Sequence, residues 1–197
     1  MGHVTGKTTY VDDVEFPGML YIKVLRSPVH KGIIRDIDVT AAENMPGVAG
    51  VITAKDIHGS KTYGAPDQPV FVEEHIRFKG ERIAAVAAVD EDTAQEAVEK
   101  IKLDIEEKTP VFDPIEAMKP DAPKVRPEGN VWMFNSGDHR KVRKGDVDKG
   151  FAEADEIIEN TYHEKMNDHA AMEPHVSIAR INGNERLEIY TVSQCRW

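Results

Sequence analysis

The chain has 197 residues, a hydrophobic fraction of 40% and a formal net charge of -10, which excludes a nucleic-acid partner unless a basic strip compensates locally. The basic cluster at residues 139–145 is interpreted as a solvated loop rather than such a strip. No apolar run approaches the roughly 20 residues of a membrane span, and the N-terminus lacks an apolar signal stretch, so we expect a soluble cytoplasmic protein with no membrane partner.

The first half of the chain predicts a mixture of strands and short helices. Strand-like stretches occur at residues 19–26, 33–39 and 48–53. Thr40 is expected to cap a short helix that Pro46 and Gly47 end. Residues 60–70 are rich in turn-forming residues and are expected to form an exposed loop.

The clearest pattern lies between residues 83 and 105. IAAVAAV, residues 83–89, is continuously apolar, as in a strand that is covered on both faces. Asp90 or Asp92 is expected to cap the amphipathic helix that follows, and alternation from Ile101 predicts a further strand. Together these patterns predict an α/β or α+β domain over residues 1–117.

The composition changes after residue 117, where proline, glycine and charged residues become frequent. Residues 118–150 are interpreted as a linker or long surface loop, and residues 151–197 as the start of a second body. A short helix is expected through Phe151, Ala154 and Ile158. Strands are expected at residues 156–163, 175–181 and 186–192, the last two joined as a hairpin through Asn182-Gly183.

The stretch NDHAAMEPH, residues 167–175, is the candidate for chemistry. His169 and Glu173 are four residues apart, which on a helix would bring both over one patch, as in helical metal motifs. Pro174 disfavours helical geometry for Glu173. We therefore interpret the stretch as a loop that leads into a strand.

Other chemical motifs are absent from the sequence. It contains no GxGxxG, Walker A, nucleophile-elbow or CxxC pattern. Its single cysteine, Cys195, excludes a disulfide framework and a cysteine zinc cluster, and it cannot alone hold an iron–sulfur cluster. A nucleophilic role for Cys195 is the alternative to an ordinary lone cysteine near a C-terminus. The residues by themselves leave the function open.

Several long stretches, in chain order, resemble the molybdenum-binding subunit of the xanthine dehydrogenase and aldehyde oxidase family. They are TGKTTYVDDVEFPGMLYIKVLRSPVHKGIIRDIDVTAAENMPGVAGVITAKDI, FKGERIAAVAAVDEDTAQEAVEKIKLDIEE, GDVDKGFAEADEIIENTY, HAAMEPH and the terminal TVSQ. The resemblance covers nearly the whole chain. It implies an α+β fold, the α/β hammerhead domain, followed by a truncated mixed α/β segment that begins the first molybdenum-cofactor-binding domain.

The resemblance also implies roles for individual residues. Gln194 matches the glutamine that ends a Ser/Thr-Gln strand in the family and lies near the oxygen ligand of molybdenum; an ordinary polar residue at a strand end is the alternative. His169 and Glu173 are predicted to support the wall of the active-site region rather than to bind metal, because the family's metal is held by its pterin. No catalytic residue is expected in this chain.

For a complete enzyme, the resemblance implies hydroxylation of a heteroaromatic or aldehyde carbon of a small-molecule substrate, with oxygen derived from water. The implied cofactors are molybdopterin or its cytosine dinucleotide form, with iron–sulfur clusters and FAD on partner subunits. The family's later GGxFG stretch and glutamate base have no counterpart here. We therefore expect an N-terminal piece that needs the remainder of the molybdenum subunit, and that alone is inactive and binds no cofactor.

Two alternatives stay open. The first is an aromatic acyl-CoA reductase of the same family, similar to 4-hydroxybenzoyl-CoA reductase, because HAAMEPH also resembles that branch. The second is a stand-alone scaffold module without catalytic function.

Overall fold

The computed structural model describes residues 2–63, 68–131, 142 and 144–193. The chain divides into two compact units, one formed by residues 18–142 and the other by residues 1–17 together with 143–197. The first seventeen residues thus share a unit with the C-terminal part of the chain. The predicted division at residues 117 and 150 stays a prediction.

The described part of the unit formed by residues 18–142 contains two antiparallel three-stranded sheets, with strand orders β1-β5-β3 and β4-β2-β6. Three short helical segments and one longer helix accompany them. In chain order the elements are β1 (Tyr21–Arg26), β2 (Gly32–Asp38), α1 (Thr40–Glu43), β3 (Val48–Thr53), a 3-10 turn (Ala54–Asp56), β4 (His75–Ile76), β5 (Arg82–Ala88), α2 (Glu91–Lys100), β6 (Lys102–Glu107) and α3 (Pro114–Ala117).

Strand β5 is the centre of the first sheet, as its continuous apolar sequence predicts. It pairs with β1 on one side and with β3 on the other. Ala84, Val86 and Ala88 are completely buried. This strand has a neighbour on each edge and packed residues on both faces. An unpaired polar side chain would be costly to bury there, which explains the unbroken apolar sequence.

Helix α2 covers one face of this sheet. Asp90 is the cap, because its carboxylate accepts the backbone N–H of Thr93 at 2.7 Å. The apolar side of the helix buries Ala94, Ala97 and Val98, and the last two pack with Ala84 and Val86 of β5 in one core cluster. The predicted strand, cap and helix are all confirmed.

The predicted cap of α1 is wrong by one position. Thr40 is the first helical residue and Val39 is the N-cap. The backbone N–H of Thr40 instead donates to the carboxylate of Asp38 at 3.0 Å. A carboxylate two residues earlier therefore satisfies one of the backbone donors at the start of the helix, where the threonine hydroxyl was expected to act.

The second sheet packs against the first through a cluster centred on Ile83. Ile83 of β5 is 1% exposed, and its cluster includes side chains from all three strands of the second sheet. These are Ile76 of β4, Ile34 and Ile37 of β2, and Leu103 and Ile105 of β6. Burial of Ile83 therefore joins the two sheets.

The loop after α3 is held by one amide side chain. Asn130 accepts the backbone N–H of Val125 at 2.6 Å and donates to the carbonyl oxygens of Ala117 at 2.8 Å and Pro123 at 3.1 Å. The described start of the predicted linker, residues 118–131, is thus an ordered loop rather than an extended chain.

The described part of the other unit contains α4 (Val147–Glu153), β7 (Ser177–Ile181) and β8 (Leu187–Thr191), after 3-10 turns at His3–Thr5 and Val11–Asp13. Asp146 caps α4 by accepting the N–H of Lys149 at 3.0 Å. The helix ends at Glu153, so the predicted helical positions of Ala154 and Ile158 are wrong. The hairpin of β7 and β8 is confirmed.

The predicted strand at residues 156–163 is also wrong. This described segment is irregular and exposed throughout. A strand needs a neighbour for its backbone groups, and the described residues provide none there.

Over the described ranges, no helix is long and apolar enough to cross a membrane.

Candidate functional site

The β7–β8 hairpin brings the residue that follows NDHAAMEPH, Val176, beside Val192 of the TVSQ stretch. The strands pair antiparallel, with Ser177 opposite Thr191. Their hydroxyl oxygens are 2.7 Å apart, and the N–H of Val192 donates to the carbonyl oxygen of Val176 at 3.4 Å. The residues that precede β7 and those that follow β8 therefore meet at one end of the hairpin, here called the open end.

His169 and Glu173 lie on the chain that approaches the open end. Both are exposed and belong to an irregular segment that enters β7 at Ser177. Ala170, between them, has a φ of 48°, and its N–H donates to the carboxylate of Asp168 at 3.2 Å. The prediction of a loop that leads into a strand is confirmed.

Gln194 and Cys195 lie outside the described residues. β8 ends at Thr191, and Val192 and Ser193 continue from it. The roles assigned to Gln194, His169 and Glu173 therefore stay predictions. Within the described ranges, no three histidine, cysteine or acidic side chains form a group that could hold a metal ion.

The opposite end of the hairpin is a tight turn organised by Asn182. The N–H of Glu185 donates to the Asn182 carbonyl oxygen at 3.0 Å, and the N–H of Asn182 donates to the Arg186 carbonyl oxygen at 2.9 Å. The Asn182 side-chain oxygen accepts the N–H groups of Asn184 and Arg186 at 2.9 and 3.1 Å. The Asn182–Arg186 backbone bond leaves three residues in the turn, so the predicted two-residue turn at Asn182-Gly183 is wrong. Glu185, the last of the three, has a φ of 59°.

One face of the hairpin holds the N-terminal segment through a group here called the clasp, formed by Phe16, Arg180, Glu188 and Tyr190. The guanidinium carbon of Arg180 is 4.1 Å from the Phe16 ring centroid and 5.6 Å from that of Tyr190. The ring centroids of Phe16 and Tyr190 are 5.5 Å apart. Arg180 and Glu188 form an ion pair at 2.6 Å. Stacking on aromatic faces is favourable for a guanidinium.

The hydrogen bonds of the clasp shift two pKa values. Asn182 donates to Glu188 at 2.9 Å and Arg180 donates to it at 2.6 Å, and together they hold the pKa of Glu188 below its usual value. The same ion pair raises the pKa of Arg180. Both side chains are about one-third exposed or more, so solvent screens the pair and its role is chiefly to orient the ring contacts.

The clasp has no signature in the sequence. Phe16 lies in a turn-like stretch, and Arg180 is separated from it by most of the chain. Alternation along β7 and β8 places Arg180, Glu188 and Tyr190 on one face, but it gives no sign that a residue from the N-terminus covers that face.

Two family models match separate parts of the chain. Residues 5–109 match the family model described as "Aldehyde oxidase and xanthine dehydrogenase, a/b hammerhead domain". Residues 128–197 match the model described as "Molybdopterin cofactor-binding domain". The second match contains the hairpin and the segment with His169 and Glu173.

Curated proteins and solved structures give consistent matches. A probable xanthine dehydrogenase subunit of Bacillus subtilis is 39% identical over 196 residues, covering 98% of this chain and 26% of that protein. A nicotinate dehydrogenase large molybdopterin subunit of Eubacterium barkeri is 30% identical over 97% of this chain and 44% of that protein. The aldehyde oxidoreductase of Desulfovibrio gigas superposes with a TM-score of 0.82 at 28% identity, covering 96% and 22%. The chain thus spans less than half the length of these relatives.

Proposed function

The chain belongs to the aldehyde oxidase and xanthine dehydrogenase family, and from this premise we propose that it is the N-terminal part of the molybdenum-binding subunit of a hydroxylase. The family and the α+β hammerhead fold predicted from the sequence are confirmed by the matches. The proposed activity of the whole enzyme is oxidation of a heteroaromatic or aldehyde carbon with oxygen derived from water.

The open end of the hairpin is the observation that carries the proposal. Val192 and Val176 are joined there by a backbone hydrogen bond, so the chain carrying Glu173 and the chain leading to Gln194 approach from the same side. Residues on a paired strand are positioned more closely than residues on a free loop. The hairpin thus holds Val192, two residues before Gln194, by a backbone hydrogen bond.

The side chains near the open end fit a cofactor that brings its own metal ligands. The hydroxyl groups of Ser177 and Thr191 are neutral donors and acceptors, and the described residues form no cluster suited to ligating a metal directly. The molybdenum cofactor, when bound, supplies the two-electron redox chemistry that hydroxylates the substrate carbon. We propose that the amide of Gln194 donates a hydrogen bond to an oxygen atom of this group without adding charge.

His169 and Glu173 are proposed as supporting residues for the wall of the site. Both are exposed in the described chain, as are the neighbouring apolar side chains of Met166 and Met172. Exposed apolar side chains of this size suit burial against another surface. We propose that the remainder of the molybdenum subunit covers them.

Partner subunits are proposed to carry the other redox centres. The sequence contains one cysteine, whereas an iron–sulfur cluster needs several cysteine ligands. We therefore propose that electrons leave these 197 residues for iron–sulfur clusters and FAD on partner chains or domains. The nucleotide form of the cofactor and the choice between a hydroxylase and an aromatic acyl-CoA reductase are decided by cofactor analysis and substrate assays of the assembled enzyme.

The decisive experiment replaces Gln194 by alanine in the assembled enzyme. We expect kcat to fall by about tenfold or more, because one hydrogen-bond donor to the reacting region is lost, while molybdenum content and subunit assembly remain unchanged. Asn184→Ala is the matched control, because Asn184 carries the same amide group at the opposite end of the hairpin.

The results separate the alternatives. Unchanged kcat in Gln194→Ala would remove Gln194 from the site. An assembled protein that contains no molybdenum and oxidises no aldehyde or heteroaromatic compound would refute the enzyme proposal and favour the scaffold module.

A further inference from the structure

A cleft in the unit formed by residues 18–142 lies apart in sequence from every residue proposed for the cofactor site. It encloses about 270 Å³, near the lower end of the range for small-molecule sites. Its principal lining side chains are Arg26, Tyr63, Arg77, Phe78, Glu81 and Arg82. Three guanidinium groups therefore line a cleft with one carboxylate in a chain whose formal net charge is -10.

The floor of the cleft is fixed by backbone hydrogen bonds. The N–H of Ser27 donates to the Glu81 carbonyl oxygen at 2.8 Å, and the N–H of Gly80 donates to the Ser27 carbonyl oxygen at 2.9 Å. Gly80 has a φ of 90°, which residues other than glycine rarely adopt. The turn that holds Phe78, Glu81 and Arg82 is thus anchored to the end of β1.

Glu81 neutralises one of the three arginines. It is 4% exposed, and its carboxylate accepts the backbone N–H of Arg77 at 2.7 Å and the Nε–H of Arg77 at 2.8 Å. A buried carboxylate in this bonding arrangement has its charge matched by the adjacent guanidinium. The Glu81 carboxylate is therefore paired with the Arg77 guanidinium.

Arg26 and Arg82 donate only to uncharged oxygen atoms among the described residues. Arg26 donates to the carbonyl oxygen of Gly80 at 3.0 Å. Arg82 donates to the hydroxyl of Tyr63 at 2.5 Å and to the carbonyl oxygen of Pro69 at 3.5 Å. By contrast, Arg35 in the same unit forms an ion pair with Glu106. The cleft thus carries two guanidinium charges that no described carboxylate matches.

The ring of Tyr63 keeps one of these guanidinium groups in place. The guanidinium carbon of Arg82 is 5.1 Å from the Tyr63 ring centroid, and the bond to the Tyr63 hydroxyl fixes the direction of one N–H. A guanidinium held in this way loses little conformational freedom when it binds a planar or tetrahedral oxyanion. Phe78 adds an exposed apolar surface at the same cleft.

We propose that this cleft binds the oxyanion group of a small molecule, either a phosphate or a carboxylate, through Arg26 and Arg82. Both oxyanions accept two parallel hydrogen bonds from one guanidinium. Tyr63 and Phe78 would contact the uncharged part of the molecule. The proposal is independent of the proposed enzymatic function, because it rests on side chains of the other compact unit.

Calorimetric titration of the full chain with pyrophosphate and, separately, with citrate tests the proposal at low ionic strength. We expect saturable binding with one site per chain for at least one of them. Arg82→Gln and Arg26→Gln should each weaken it by about tenfold or more, since each removes charge-assisted hydrogen bonds. Arg35→Gln is the matched control, because it removes the same charge elsewhere in the unit and should leave the affinity unchanged.

One further measurement shows whether each variant keeps its fold. Amide hydrogen exchange of residues 82–88 should be the same in wild type and variants, which shows that the fold is retained. If amide hydrogens in residues 82–88 exchange faster in Arg82→Gln, the affinities of Arg26→Gln and Tyr63→Phe are compared with wild type in its place. Tighter binding of pyrophosphate identifies a phosphate ligand, and tighter binding of citrate identifies a carboxylate. Absence of saturable binding of both, or equal loss in Arg35→Gln, overturns the proposal.

Discussion

Replacing Ile83 by alanine tests whether this side chain joins the two sheets of the unit formed by residues 18–142. Ile83 lies on the central strand β5, is 1% exposed, and belongs to the cluster that includes Ile34 of β2 and Leu103 of β6. The substitution leaves the backbone of both sheets unchanged and removes three carbon atoms from the cluster around Ile83. It therefore isolates the packing contribution.

The magnitude follows from the buried volume. Three carbon groups at about 0.8 kcal/mol each contribute about 2.4 kcal/mol of transfer free energy. The cavity can add up to about 2 kcal/mol, because strands held on both edges collapse only partly around it. We therefore expect the free energy of unfolding to fall by roughly 2.5–4.5 kcal/mol.

Urea unfolding combined with amide hydrogen exchange measures this loss in the relevant unit. Exchange should accelerate in both β5 and β6, since they share the cluster. Ile22→Ala on the adjacent strand β1 is the control, because Ile22 is 64% exposed and its loss should cost less than about 1 kcal/mol. A loss for Ile83→Ala no larger than that for Ile22→Ala would show that Ile83 does not join the sheets.

Two further predictions concern the clasp. Phe16→Ala should speed amide exchange in residues 177–191 by about two- to fivefold, because the ring contact with Arg180 is lost. Phe112→Ala, in the other unit, is the control and should leave that exchange unchanged. An equal effect of both variants would refute the role of Phe16. The lowered pKa of Glu188 means that its contribution is present above its unfolded pKa of about 4.3 and is lost as the pH falls through the lower folded value. Exchange protection of the hairpin should therefore decline below about pH 4 in wild type and in Glu185→Gln, whereas Glu188→Gln should lack this decline; the same decline in Glu188→Gln would count against the proposed linkage.

The elements that could be predicted from the sequence are those whose cause is local. The buried strand β5 needs only an unbroken apolar run, and α2 needs only the carboxylate of Asp90 and apolar residues at helical spacing. The β7–β8 hairpin needs alternation and the turn chemistry of Asn182. In each case the decisive residues lie within one element or its turn.

The features that escaped prediction depend on partners that are distant in the chain. The stretch at residues 156–163 has strand-like apolar residues, including the exposed Ile157 and Ile158, but the described chain offers no strand for it to pair with. The clasp joins Phe16 to Arg180, and no local pattern indicates that contact. Likewise, Arg26 and Arg82 line one cleft because β1 pairs with β5, which brings these two distant residues opposite each other.

The pairing of the hairpin strands is held by residues at its turn and on one face. A shift of one residue in the pairing of β7 with β8 would move the end of β8 by about 3.3 Å and turn each side chain to the opposite face. The Asn182 turn and the stacking of Arg180 on Phe16 and Tyr190 both oppose such a shift. The register of β8, and with it the position of Val192, is therefore held by turn and clasp residues. Variants of those residues should disturb the end of β8 without removing any group of the proposed site.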